Sequence, residues 1–161
     1  MRHRSSLKVR RNLAVLEERV PARLYRVIYA DTDAMGVVYH ARYLEMAERA
    51  RNHALENAGI QIRRLSDDSN ISLVVHRVIM ELIAPLRVDD EVVLRSGILH
   101  RRSSRVWWRT EVVLNDVRHA LVDVATVCFD RKVRRLVAAP DCLEQALNTL
   151  PVFRERCEII V

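Results

Sequence analysis

The run Asp31-Thr32-Asp33-Ala34-Met35-Gly36-Val37-Val38-Tyr39-His40 holds two carboxylates, an imidazole and a phenol within ten consecutive positions. A carboxylate is available as a base or nucleophile at neutral pH, and an imidazole can hold or move a proton. Where a helix begins just after such a loop, its first N–H groups and positive dipole end favour a developing oxyanion. The run therefore contains the parts for attack on a carbonyl. Each residue also has an ordinary use: Asp and Thr form turns and caps, and a histidine before a helix often only packs.

The elements around this run can be read from periodicity. Residues 22–31 are rich in Tyr, Val, Ile and Leu and read as a strand leading into the polar Asp31-Thr32-Asp33. Over 43–58 the residues Tyr43, Ala47, Ala50, Ala54 and Ala58 recur at intervals of three and four, which predicts a helix with a flat alanine face. Glu45 with Arg49 and Glu48 with Arg51 are spaced to support its exposed side, and Gly59 is placed to end it. A polar loop follows, centred on Ser66-Asp67-Asp68-Ser69-Asn70. Extended segments are then expected at 71–86, 91–99, 105–114, 119–130 and 136–139, with a hairpin near 101–104 and a tight turn at Asn115-Asp116. Pro140-Asp141 with Glu144 reads as a capping box for a short helix carrying Leu143, Ala146, Leu147 and Leu150.

This order gives an α+β fold in which an antiparallel sheet wraps one long helix. One helix covers one face, so Trp107, Val112 and Val124 are expected on the other face, where an oligomer would bury them. Trp107 and Trp108 are adjacent and must point to opposite faces.

Composition removes several function classes. The 161 residues suit one domain, and the three glycines, Gly36, Gly59 and Gly97, are too far apart for a phosphate loop or a dinucleotide turn. Cys128, Cys142 and Cys157 form no Cys-x-x-Cys pair, which disfavours a zinc site or disulfide framework and points to a reducing compartment, the cytoplasm. Five of the 27 basic residues fall in the first twelve positions, leaving 22 against 21 acids, so the net charge of +6 belongs mainly to a tail. No basic groove interleaved with stacking aromatics is present, and nucleic acid is not an expected partner. No apolar run approaches a membrane span. The chain divides into a basic tail at 1–20, a folded domain at 21–140 and a C-terminal extension at 141–161.

The run from Tyr29 to Leu44, continued by Glu48-Arg49-Ala50-Arg51, resembles the signature of the 4-hydroxybenzoyl-CoA thioesterase family, in particular its YbgC-type acyl-CoA thioesterases. The stretch Leu82-Ile83-Ala84-Pro85-Leu86-Arg87-Val88-Asp89-Asp90-Glu91 is similar to that family's second strand and following turn. The resemblance implies a hotdog fold assembled as a homodimer or homotetramer, with active sites between subunits. It implies hydrolysis of an acyl thioester, carried by coenzyme A or an acyl carrier protein, without metal or prosthetic group, since coenzyme A is part of the substrate. Asp33 would attack the carbonyl or activate water, His40 would position water or substrate, and Tyr39 would line the acyl pocket. Met35 stands where many relatives have glycine and would add bulk there. Within the same fold, a dehydratase or hydratase and a non-catalytic acyl-thioester binding module are the alternatives. Arg101, Arg102 and Arg105 are candidates for the phosphates of coenzyme A, because guanidinium forks match phosphate geometry, as are Arg131, Lys132, Arg134 and Arg135; the bland reading of both groups is a solvated loop. Glu48 reads as a surface ion-pair residue and Asp89-Asp90 as a turn.

Overall fold

The computed structural model describes residues 21–153; the basic tail and the end of the C-terminal extension lie outside the described residues. In chain order the elements are β1 (Ala22–Arg26), a 3-10 turn (Tyr29–Asp31), α1 (His40–Asn57), α2 (Ile62–Ser69), β2 (Ile71–Leu82), β3 (Glu91–Arg102), β4 (Arg105–Leu114), β5 (Val117–Asp130), β6 (Arg135–Leu136) and α3 (Asp141–Thr149). The strands form one antiparallel sheet in the order β1-β3-β4-β5-β2, with β6 paired to β5. The sheet wraps α1, which is the hotdog arrangement.

Small side chains let α1 lie close to the sheet. Tyr43, Met46, Ala47 and Ala50 pack with Val92, Leu94, Val112, Val122 and Val124 in a core under the first half of the helix. Ala54 and Leu55 join a second core with Ile98, Val106, Trp108 and Cys128, closed by Leu143, Ala146 and Leu147 of α3. The helix of the C-terminal extension thus packs into the same sheet as the rest of the domain. Val112 and Val124 lie under α1 rather than on the far face: Val112 is four residues from the core residue Trp108 and Val124 is the cross-strand partner of Trp108, so alternation puts both on the core side, opposite Trp107. Trp108 is in the core and donates to Thr126 at 3.0 Å, so its neighbour Trp107 points to the far face, where it too is buried.

Other boundaries differ from expectation for local reasons. The first strand stops at Arg26, because Val27 exchanges backbone hydrogen bonds with Asp89 and Asp90 and the chain then turns. The segment read as a polar loop is α2, held by buried Leu65 and ended by Asn70 in the left-handed region at φ 57°. Helix α3 has no capping box: Pro140 is its N-cap, and Asp141 and Glu144 sit in its first turn. On α1, Glu45 pairs with Arg42 at 2.7 Å, not with Arg49.

The far face of the sheet carries an ion pair. Arg109 on β4 and Asp123 on β5 meet through two hydrogen bonds of 2.8 Å, and both side chains are only 3% exposed. At the edge of β3 beyond β1, the segment following α3 runs parallel to the strand: Ile98 donates to the Pro151 carbonyl at 2.8 Å, and Phe153 donates back to Ile98 at 2.8 Å. This approach requires Gly97, because a Cβ there would stand 2.6 Å from the Pro151 carbonyl oxygen.

Candidate active site

The Asp33 loop is a small two-armed structure. Thr32 and Val38 form an isolated antiparallel bridge, and Asp33 N–H donates to the Val37 carbonyl at 2.9 Å. Gly36 N–H donates to the Asp33 carbonyl at 3.0 Å, and Gly36 turns at φ +72°, which only glycine adopts freely. Tyr39 N–H donates to the Asp31 carbonyl at 2.9 Å, which lays the arm bearing Asp33 beside the arm bearing Tyr39 and His40. Val38 N–H, bonded to the Leu86 carbonyl at 2.9 Å, ties the pair of arms to the segment before β3.

The Asp33 carboxylate is exposed, and its Oδ1 accepts from Met35 N–H at 2.8 Å. Its Oδ2 has no partner among the described residues. Tyr39 is the N-cap of α1 and His40 its first residue, so the imidazole stands at the positive end of the helix dipole. The Tyr39 and His40 rings touch with centroids 4.2 Å apart at 52°. Met35 is 82% exposed at the tip of the loop. Asp33, Met35, Tyr39 and His40 are thus brought together on a surface that the single chain leaves open. A cavity of about 220 Å³, lined by Gly59, Ile60, Leu65 and Cys142 among others, lies at the other end of α1, away from these groups.

Arg101, Arg102 and Arg105 are not brought to this loop. They lie at the far end of β3 from Glu91, a strand span of roughly 35 Å, and the guanidinium of Arg101 is held by Glu144 at 3.3 Å and by Asn148. Arg131 is likewise occupied, donating to the Ser66 carbonyl at 2.6 Å.

Residue types alone do not separate the two aspartates of the loop, and the part played by Asp31 comes only from the structure. Asp31 is only 4% exposed, and its Oδ2 accepts from the Tyr25 hydroxyl at 2.9 Å and from Ile28 N–H at 3.0 Å. Burial, then the hydrogen bond from Tyr25 to Asp31 and the Asp31 charge, push the Tyr25 phenol up to about 12, Glu45 adding to the shift and Arg49 opposing it. Because the folded value exceeds the ordinary value of 10, this group's contribution to stability is complete below pH 10 and is lost as pH rises through about 12. In thermal unfolding, the gap in Tm between the parent and Tyr25→Phe should be constant up to pH 9 and should shrink above pH 10. A gap that stays constant to pH 12 would remove the phenol from this contact.

Comparison with known proteins shows the family and the fold. Residues 27–147 match the thioesterase-like superfamily, and the chain belongs to that family. It is 35% identical over 107 residues to the acyl-CoA thioester hydrolase YbgC of Escherichia coli, covering 65% of this chain and 78% of that protein. It is 28% identical over 125 residues to the acyl-CoA thioesterase YbgC of Haemophilus influenzae, covering 78% and 92%. Among solved structures, a 1,4-dihydroxy-2-naphthoyl-CoA thioesterase from Synechocystis shares the fold with a TM-score of 0.74 at 20% identity, over 79% of this chain and 94% of that one.

Proposed function

We propose that this chain hydrolyses acyl-CoA thioesters to a carboxylic acid and a free thiol, with Asp33 as the reacting carboxylate. The observation that carries the assignment is the Asp33 side chain itself, with one oxygen anchored by Met35 N–H and the other without a partner among the described residues, on an arm that pairs with the arm leading into α1. The open oxygen either bonds to the thioester carbon, expelling the thiolate and leaving an anhydride for water to cleave, or takes a proton from an attacking water. In both routes charge develops on the carbonyl oxygen, and the first turn of α1 stabilises it. His40 holds water or substrate at that turn, and Tyr39 and Met35 offer the acyl group apolar surface. The reading needs no metal or prosthetic group. The cysteine pattern supports a reducing cytoplasm as its compartment, and among the described residues no helix is long and apolar enough to cross a membrane. A hydrolysis panel of aromatic, short and long acyl-CoAs, with one acyl carrier protein thioester, tests the reaction and its carrier; no turnover above the uncatalysed rate on any of them would overturn it.

The reading includes a homodimer or homotetramer. The loop is open to solvent on one side, and β2 is a twelve-residue edge strand whose Val74 and Val75 are 43% and 47% exposed. Arg102 and Arg105 enter as coenzyme A contacts only from another subunit. Size-exclusion chromatography with light scattering should give at least twice the 18.7 kDa of one chain. A stable monomer at micromolar concentration would contradict the placement of the site between subunits.

A further inference from the structure

We infer that Asp31 is a positioning residue whose buried carboxylate, latched by Tyr25 and Ile28, sets the place of Asp33 relative to His40. This rests on the thioesterase reading. Asp31 joins three parts of the chain: its Oδ2 takes the hydroxyl of Tyr25 on β1 and the N–H of Ile28 before the 3-10 turn, while its carbonyl takes the N–H of Tyr39 at the entry to α1. Asp33 is two residues along one arm and His40 one residue beyond Tyr39 on the other, so a displaced Asp31 changes the separation of the two.

A turn alone does not call for this arrangement. Thr32 already closes the 3-10 turn, its hydroxyl and its N–H both donating to the Tyr29 carbonyl at 2.8 and 3.1 Å. Burying a carboxylate costs free energy unless donors satisfy it, and here the side-chain donor, Tyr25, comes from β1, outside the 3-10 turn that holds Asp31. The Tyr25 phenol remains a donor through the whole neutral and moderately alkaline range. The charged groups facing Tyr25, besides Asp31, are Glu45 and Arg49 of α1. Asp31 is too buried to meet substrate, so its effect on the reaction passes through the two groups it holds in place.

The test uses the full chain with Asp31→Ala, Asp31→Asn and Tyr25→Phe, assayed on acyl-CoA well below the lowest Tm of the set. Small misplacements of reacting groups lower kcat by up to about 100-fold while leaving substrate binding in place. Asp31→Ala should therefore lower kcat about 10- to 100-fold with KM within about threefold of the parent, and Tyr25→Phe should do the same to a smaller degree. Asp31→Asn should recover activity to within about threefold, because the amide oxygen can accept the same two donors. Parent-like kcat in folded Asp31→Ala, with only Tm lowered, would overturn the inference, as would an Asn variant as impaired as Ala. Should the parent hydrolyse nothing, the thioesterase reading fails by itself. The latch is then read by NMR from the His40 ring and the amides of 33–37: these signals should move in Asp31→Ala and Tyr25→Phe but not in Asp31→Asn, and unmoved signals in all three would overturn it.

Discussion

Asp33→Asn is expected to fold as the parent does and to hydrolyse acyl-CoA at least about 100-fold more slowly, a loss of roughly 2.7 kcal/mol in transition-state stabilisation. The amide oxygen can still accept from Met35 N–H, so the loop that Gly36 and Val37 close keeps its shape. What disappears is the negative charge on the open oxygen, the group that attacks or deprotonates. The loss should therefore fall on kcat, with KM little changed. His40→Ala should cost less, about tenfold, because holding water at the helix start contributes less than the reacting carboxylate. Near-parental turnover by Asp33→Asn would remove Asp33 from the reaction.

The largest effect on stability should come from Asp123→Ala. The change leaves the Arg109 guanidinium, 3% exposed, without the carboxylate that meets it through two hydrogen bonds. Breaking one side of a buried pair costs about 3–5 kcal/mol, a large part of the 5–15 kcal/mol that a domain has. For a domain of this size that is a fall in Tm of about 6–20 °C. Replacing both residues, Arg109→Met with Asp123→Leu, should recover most of the loss, since an apolar pair of similar volume removes the buried charges together. Chemical unfolding of the parent, the single and the double variant measures all three. A single variant within about 1 kcal/mol of the parent would show that the pair contributes little.

Much of the fold was legible because it depends on periodicity. The alanine spacing of α1 located the central helix, and Asn115-Asp116, both in the left-handed region at φ 50° and 61°, marked the β4–β5 turn. Helix α2 was missed because Ile62–Ser69 has only two apolar residues, and its burial through Leu65 is a tertiary fact. The faces of Val112 and Val124 were misread although alternation carries them: Val112 lies four residues from Trp108 and Val124 pairs with Trp108, so both share its core face, opposite Trp107. In the site, residue types and proximity were legible from the Asp31 to His40 run. The resemblance singled out Asp33, but the buried, hydrogen-bonded state of Asp31 was not legible, because it depends on Tyr25 reaching Asp31 from β1. Likewise Arg101 looked unpaired in sequence, and its partner Glu144 comes from a helix 43 residues away.

The two ends of the sheet set the arithmetic of any growth from it. At one end β1 is five residues long and carries Arg23 and Arg26, and beyond it the 151–153 segment, admitted by Gly97, occupies the next stretch of the β3 edge. Short, charged or covered edges resist strand addition. At the other end, among the described residues, β2 pairs only with β5, which leaves its outer edge open to a strand of another chain. A molecule with two adhesive ends could add copies without limit and would form filaments, whereas one adhesive end can only meet its own kind. Pairing through β2 would therefore terminate at two chains related by a twofold axis, and any larger assembly would have to grow from a different surface.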